Sequence, residues 1–346
     1  MKTGNFNLLF LALSAAGLLF GGYFAVEEWF VGPSFATNDG LVWTLPLVTY
    51  IFLALASTGI SFLLTCGELL NNESIKTHKT LLLITALSLL IGAFAALATE
   101  LGSLFHLFWL VLTPNLKSPI WWMGTLYAIE LVLLGIKFYA LLIKRTFSFE
   151  RWLTAGTLCV AVAASLVLGS VFGTVVGRVG FYGVDASILT FLCALASGMS
   201  LAPLLLSPDK RAVLLLPGRL VLGALALLLL VNYIYLARGS IPAEQPWVSL
   251  WMPLLLLVAL ITYQTKPAIS TIVALPTLLL VELAFVIQGQ QHVLGPKQTW
   301  LGMMQSYQPN LAEVGILVFG CSVAYLCFFI LKLLMARFEA QISSAR

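Results

Sequence analysis

The chain has 346 residues, of which 60% are hydrophobic and only 9% charged, with a mean hydropathy of +1.02. A composition this apolar excludes an ordinary water-soluble domain and places most of the chain in lipid, as an integral membrane protein. The net charge of +4 is small, and its distribution along the chain speaks to topology rather than to nucleic-acid affinity.

A spanning helix needs roughly 20 consecutive apolar residues. The sequence predicts about ten such runs, centred near Leu18, Leu53, Ile91, Leu131, Ala164, Ala196, Leu227, Leu257, Leu278 and Val323. The first follows Lys2 and stays apolar over residues 8–26, longer than the core of a signal peptide, so it is expected as a retained helix. Glu27 and Glu28 close it, where solvation at the membrane surface is the plain reading. The third run ends at Glu100, and an aromatic loop containing His106 leads to Ser118-Pro119 and the pair Trp121 and Trp122. Tryptophans at helix ends, here also Trp247, Trp251 and Trp300, are what an interfacial aromatic belt supplies.

The fourth helix carries Glu130 near its middle, with Tyr127 one turn earlier and Lys137 two turns later, all on one face. The seventh holds Arg219 a turn and a half from its start, and the ninth holds Glu282 near its middle. An ionisable side chain at such depth costs at least about 2.5 to 3.5 kcal/mol, so either function or pairing must offset it. The two expectations for Glu130, Lys137, Glu282 and Arg219 are a proton pathway and an interhelical ion pair, the latter joining Glu130 to Lys137 or Arg219.

Cytoplasmic loops carry the excess of Lys and Arg. With ten helices both termini share a side, which holds Lys2, Lys76, Lys79, Lys144, Arg145, Arg151, Lys210, Arg211, Lys266, Lys332, Arg337 and Arg346. The other side holds Lys117, Arg178, Arg238 and Lys297. Both termini are therefore expected in the cytoplasm, with the loop after Glu100 outside.

An internal repeat organises the middle of the chain. Ala54-Leu-Ala-Ser57 followed by Gly59-Ile-Ser61 in the second helix returns as Ala194-Leu-Ala-Ser197 followed by Gly198-Met-Ser200 in the sixth. The third and seventh helices end alike, in Leu101-Gly102-Ser103 and Arg238-Gly239-Ser240. A spacing of four helices makes the copies parallel. The expected fold is all-α: two parallel-repeat four-helix bundles plus one flanking helix at each end, divided as residues 1–34, 35–183, 184–291 and 292–346. Small residues also recur for a plainer reason, since they let membrane helices approach closely.

The ligand inventory is thin. The three histidines, His78, His106 and His292, all fall in loops, so no bis-histidine haem is expected inside the bundle. Cys66, Cys159, Cys193, Cys321 and Cys327 show no Cys-x-x-Cys spacing, so neither an iron-sulfur cluster nor a zinc site is expected.

Residues 100–124 read Glu-Leu-Gly-Ser-Leu-Phe-His-Leu-Phe-Trp-Leu-Val-Leu-Thr-Pro-Asn-Leu-Lys-Ser-Pro-Ile-Trp-Trp-Met-Gly. They resemble the membrane subunits of the polysulfide reductase family (NrfD/PsrC type), in which Asp-Leu-Gly-Arg-Pro precedes an aromatic loop and a Ser-Pro helix start. Residues 41–52, Leu-Val-Trp-Thr-Leu-Pro-Leu-Val-Thr-Tyr-Ile-Phe, are similar to the opening of the family's core. Residues 307–313, Tyr-Gln-Pro-Asn-Leu-Ala-Glu, are similar to the Tyr-x-Pro-x-x-x-Glu lead-in of the last helix in its ten-helix branch, which includes HybB-type hydrogenase subunits and tetrathionate or thiosulfate reductase anchors. Two positions depart from the pattern: Ser103-Leu104 stands where many members have Arg-Pro, and Leu47 where some place a histidine near the quinone.

The resemblance implies an inner-membrane anchor that binds a quinol, menaquinol or ubiquinol, at its outer side and passes electrons to a four-cluster ferredoxin-like iron-sulfur subunit. Through that subunit it would serve a catalytic one, most often a molybdopterin enzyme. It implies Glu100 as proton acceptor at the quinol site, and leaves Tyr127, His106, Tyr50 and Thr49 as quinone contacts. The docking surface for the iron-sulfur subunit would be the loops at residues 104–117 and 290–308. The rival expectation is a secondary transporter, since parallel four-helix repeats with intramembrane Glu and Lys also suit alternating access.

Overall fold

In hydrocarbon every backbone N–H and C=O must be satisfied within its own segment, so apolar runs of this length fold as helices. The computed structural model describes residues 2–101, 109, 112–144, 148–175, 177, 178, 181, 183–235 and 250–344. Among them the long helices are α1 Lys2–Phe30, α2 Leu45–Leu69, α3 Lys79–Glu100, α4 Pro119–Leu142, α5 Glu150–Gly173, α6 Gly183–Leu205, α7 Ala212–Tyr235, α8 Trp251–Thr262, α9 Pro267–Gln291 and α10 Leu311–Ser344. Nine are long and apolar enough to cross a membrane. The exception is α8, with 12 residues. The chain is an all-α integral membrane protein of roughly ten helices.

Local chemistry sets the helix starts. Pro46, Pro119 and Pro267 stand in the first turn of α2, α4 and α9, where a missing N–H costs nothing and the fixed φ suits the helix. Between α2 and α3, Asn71 takes a positive φ of 54° and the Asn72 side chain accepts hydrogen bonds from the backbone N–H groups of Ser74 and Ile75. A short helix, Glu73–Thr77, completes that turn.

The packing has a repeating order. In one ring α2 and α4 each pack against both α3 and α5; in the next, α6 and α8 each pack against both α7 and α9. The rings join where α6 lies against α2 and α5, with α9 also touching α2. The terminal helices α1 and α10 pack on each other, and α10 lies on α3 and α2, so both flank the first ring. At the centre is α2, with 83% of its most apolar stretch buried against 17% for α1.

The contact between α2 and α6 explains the repeated small residues. A Cβ on Gly59 would stand 1.9 Å from the Ala194 carbonyl oxygen, and one on Gly198 would stand 2.3 Å from the Gly59 carbonyl carbon. Backbone meets backbone here, so only glycine fits. The repeated segments are thus each other's partners across the junction of the two rings.

Candidate functional site

Across the interior of the first ring, α2 and α4 meet through polar side chains at three levels. The rings of Tyr50 and Tyr127 stand edge to face with centroids 6.0 Å apart. Deeper in, Thr58 Oγ1 donates to Glu130 Oε2 at 3.1 Å. At the far end the Lys137 ammonium donates to Glu68 Oε2. The partners rise together along both helices, which are therefore parallel. Tyr50, Tyr127 and Glu130 are fully buried and Lys137 nearly so.

Most of these groups keep unused hydrogen-bonding capacity. The Tyr50 hydroxyl and both carboxyl oxygens of Glu282 have no hydrogen-bond partner among the described residues, while Thr58 stands near the Tyr127 hydroxyl and Ser61 near the Glu130 carboxyl. Glu282 reaches in from α9, close enough to act electrostatically on Tyr127 and on Cys193 of α6. Leaving a buried polar group unpaired costs about 1–3 kcal/mol, and the chemistry of this row suits water, protons or a polar ligand.

The expected ion pair of Glu130 with Lys137 or Arg219 is not formed. Seven residues of helix separate Glu130 and Lys137 by about 10 Å along the axis, while Glu68 arrives from α2 at the level of Lys137. Thr154 of α5 completes the set, accepting from Lys137 at 3.1 Å and donating to Glu68 Oε2 at 3.2 Å. Lys79 then bridges Glu68 Oε1 and Glu150 Oε1, both at 2.8 Å. Arg219 lies apart on an exposed face, where it donates to Gln264 Oε1 at 2.7 Å. Glu68 carries no weight in a linear reading because it closes an apolar run. The signal that finds it is the spacing of Thr58, Ser61, Thr65 and Glu68, which puts four polar groups on one face of α2.

The opposite end of α2 gathers acids. Its N-cap, Thr44, makes no side-chain cap, and the free N–H groups of the first turn are met from distant elements. Leu47 N–H donates to Glu100 Oε1 at 3.0 Å, and Leu45 N–H to the Tyr307 hydroxyl at 2.9 Å. Tyr307 in turn donates to Glu313 Oε2 at 2.9 Å, and Glu313 Oε1 accepts from Ala36 N–H at 3.0 Å. Gln290 accepts from the N–H groups of Val42 and Trp43, both at 2.9 Å. Carboxylates suit this position because the helix N-terminus carries partial positive charge. Burial and then the Glu313 carboxylate push the Tyr307 phenol far above its usual range, so it stays a donor. Glu100 is thus turned inward as a cap on α2.

Of the other expected quinone contacts, Thr49 commits its hydroxyl to Leu45 O at 2.9 Å and sets its methyl group towards Gly320 of α10. Tyr50 lies one turn deeper than Leu47, with Phe94 of α3 at 6.3 Å between ring centroids. His106 and half of the loop at 104–117 lie outside the described residues. His78 has both ring nitrogens engaged, with Ser207 N–H and Ser74 O. Among the described residues no group of three or more His, Cys, Asp or Glu is placed to hold a metal ion. No family model matches the chain, and a search of curated proteins returns no match.

Proposed function

We propose that this chain is the membrane subunit of a quinone-linked respiratory oxidoreductase, resembling the polysulfide reductase (NrfD/PsrC) type. One observation carries the reading: the three segments that bear the resemblance converge on the first turn of α2. Residues 41–52 supply that turn, Glu100 caps Leu47, and Tyr307 with Glu313 caps Leu45. On this reading the Glu100 end faces the outside of the inner membrane and both termini face the cytoplasm. Lys76, Lys79, Arg151, Lys210, Arg211 and Lys266, all beyond the Glu68 end or level with it, support that orientation.

A quinol that binds at the Glu100 end releases two protons and two electrons on oxidation. Glu100 would accept a proton there and hand it to water, with the buried hydroxyls of Tyr50 and Tyr127 lying deeper as donors. The electrons would pass to an iron-sulfur subunit docked on the outer loops, and from it to a catalytic subunit. The deciding experiment is Glu100→Gln in the intact complex. The variant should assemble and accept artificial donors at the catalytic subunit, yet lose most quinol-dependent turnover. Normal quinol turnover would remove Glu100 from the mechanism.

A second reading has its own observation. The buried carboxyl groups of Glu130 and Glu282 inside parallel rings also suit a secondary transporter. Purification from native membranes separates the two, since a transporter brings no iron-sulfur chain with it.

A further inference from the structure

The Glu68 end of the first ring holds a polar cavity of ≈ 460 Å³ between α2, α3 and α5, lined by Glu68, Lys79, Glu150, Arg151 and Thr154 among others. Its lining of acids, bases and a hydroxyl is one that water wets. Glu68 forms its inner wall, with one carboxylate oxygen on Lys79 and the other on Lys137 and Thr154. From Glu68 the hydroxyls of Thr65, Ser61 and Thr58 follow along one face of α2, one turn apart, and the last of them bonds Glu130. Thr65 donates to the Ser61 carbonyl at 2.8 Å, while the Ser61 hydroxyl is fully buried and stands near the Glu130 carboxyl. Past Glu130 the polar groups continue to Tyr127, Tyr50 and Glu282. On the side of α2 towards the second ring, Phe172 lies with its centroid 5.2 Å from Trp43, 5.1 Å from Phe181 and 5.2 Å from Phe285.

We infer that Glu130 is a proton-binding site supplied from the Glu68 end, through this cavity and the hydroxyl row of α2. Hydronium in the cavity gives up one proton and is left as water; the Glu130 carboxylate takes that proton on Oε1 and becomes the acid. Lys137, the cation on its own helix, is engaged by Glu68 and so leaves Glu130 without an ionic partner from α4. The other ionisable groups facing this space are Tyr50, Tyr127, Glu282 and Cys193. The inference holds under either reading of the function, because it concerns only how a proton reaches Glu130.

The test uses the full chain in membrane vesicles of each orientation, with dicyclohexylcarbodiimide as probe. This reagent enters from the bilayer and modifies carboxyls in their protonated form, and mass spectrometry of the Glu130 peptide reads the modification. The labelling rate should follow the pH of the Glu68 face, falling about tenfold per pH unit once the carboxyl titrates, and should ignore the opposite face. Ser61→Ala and, separately, Thr65→Val leave the helix intact and add no volume to its packing while removing one hydroxyl of the row. Each should slow the response to a pH jump at the Glu68 face at least about tenfold, and Glu130→Gln should abolish the label. Labelling that follows the other face, follows both equally, or responds as fast in both hydroxyl variants as in the parent overturns the inference.

Discussion

Lys137 and Glu130 share one face of α4, yet Lys137 bonds Glu68 across the ring and Glu130 is held by Thr58. A charge this deep is stabilised by the partner that reaches its level in the bilayer, whichever helix supplies it. The consequence is that Glu68, Lys137, Lys79, Glu150 and Thr154 form one connected network at the Glu68 end, while Glu130 and Glu282 stay outside it.

That division predicts unequal costs. Glu68→Gln leaves Lys137 buried without a carboxylate, whereas Lys79 keeps Glu150. Lys137→Met leaves Glu68 with Lys79. Removing one partner of a buried pair costs about 3–5 kcal/mol, so Glu68→Gln should lie near that range and Lys137→Met clearly below it. The double variant should cost less than the two single effects added together. Thermal unfolding of the purified protein in detergent measures all three, and additivity would show that the two residues are not coupled.

The helices, and the depth of Glu130 and Glu282, were legible in the sequence because both follow from apolar run length alone. Partners were not, because they come from elsewhere in the chain: Glu68 is 69 residues from Lys137 and Glu100 is 53 from Leu47. The repeat around Gly59 and Gly198 was visible as letters, but letters do not say that the two copies touch. Thr58, Ser61, Thr65 and Glu68 lay within reach of a helical-spacing argument on α2, where the apolar majority of the run obscured them. Glu100 stood out as the acid of a signature, while its role as a cap depends on how α3 ends beside α2.

The backbone contact between α2 and α6 gives a sharp contrast between glycines. Gly59→Ala places a methyl group 1.9 Å from a carbonyl oxygen that belongs to another helix's backbone and has no rotamer to change. The rings must separate, so the variant should lose several kcal/mol or fail to accumulate, as overpacking at about 1–3 kcal/mol is felt even where side chains can yield. Gly135→Ala on α4 meets nothing within 4 Å and should be neutral or stabilising by up to about 1 kcal/mol. Detergent melting curves of the two variants should differ accordingly.

Orientation is open to a direct check. Reporter fusions after Arg145 and Lys210 should be active only in the form that works in the cytoplasm, and fusions after Lys117 and Arg238 only in the exported form. The reverse pattern would move the quinol site and the partner subunit to the other side of the membrane.

Tyr307 links two elements through one hydroxyl, accepting from Leu45 N–H and donating to Glu313. Tyr307→Phe keeps the ring and removes that oxygen, so a buried N–H at the start of α2 and one carboxylate oxygen both lose a partner. The expected cost is about 1–3 kcal/mol, felt where residues 307–313 join α10 to α2. The same hydroxyl predicts an alkaline effect. Because the phenol lies above its ordinary value of 10.0 in the folded protein, the unfolded chain releases this proton first as pH rises. Folded stability from this group is therefore complete below 10.0 and declines above it. Other buried tyrosines contribute in the same direction, so the readout is the difference between parent and variant. The gap in melting temperature should be constant at neutral pH and narrow in alkali; a gap that widens there would show that Tyr307 does not hold its proton against Glu313.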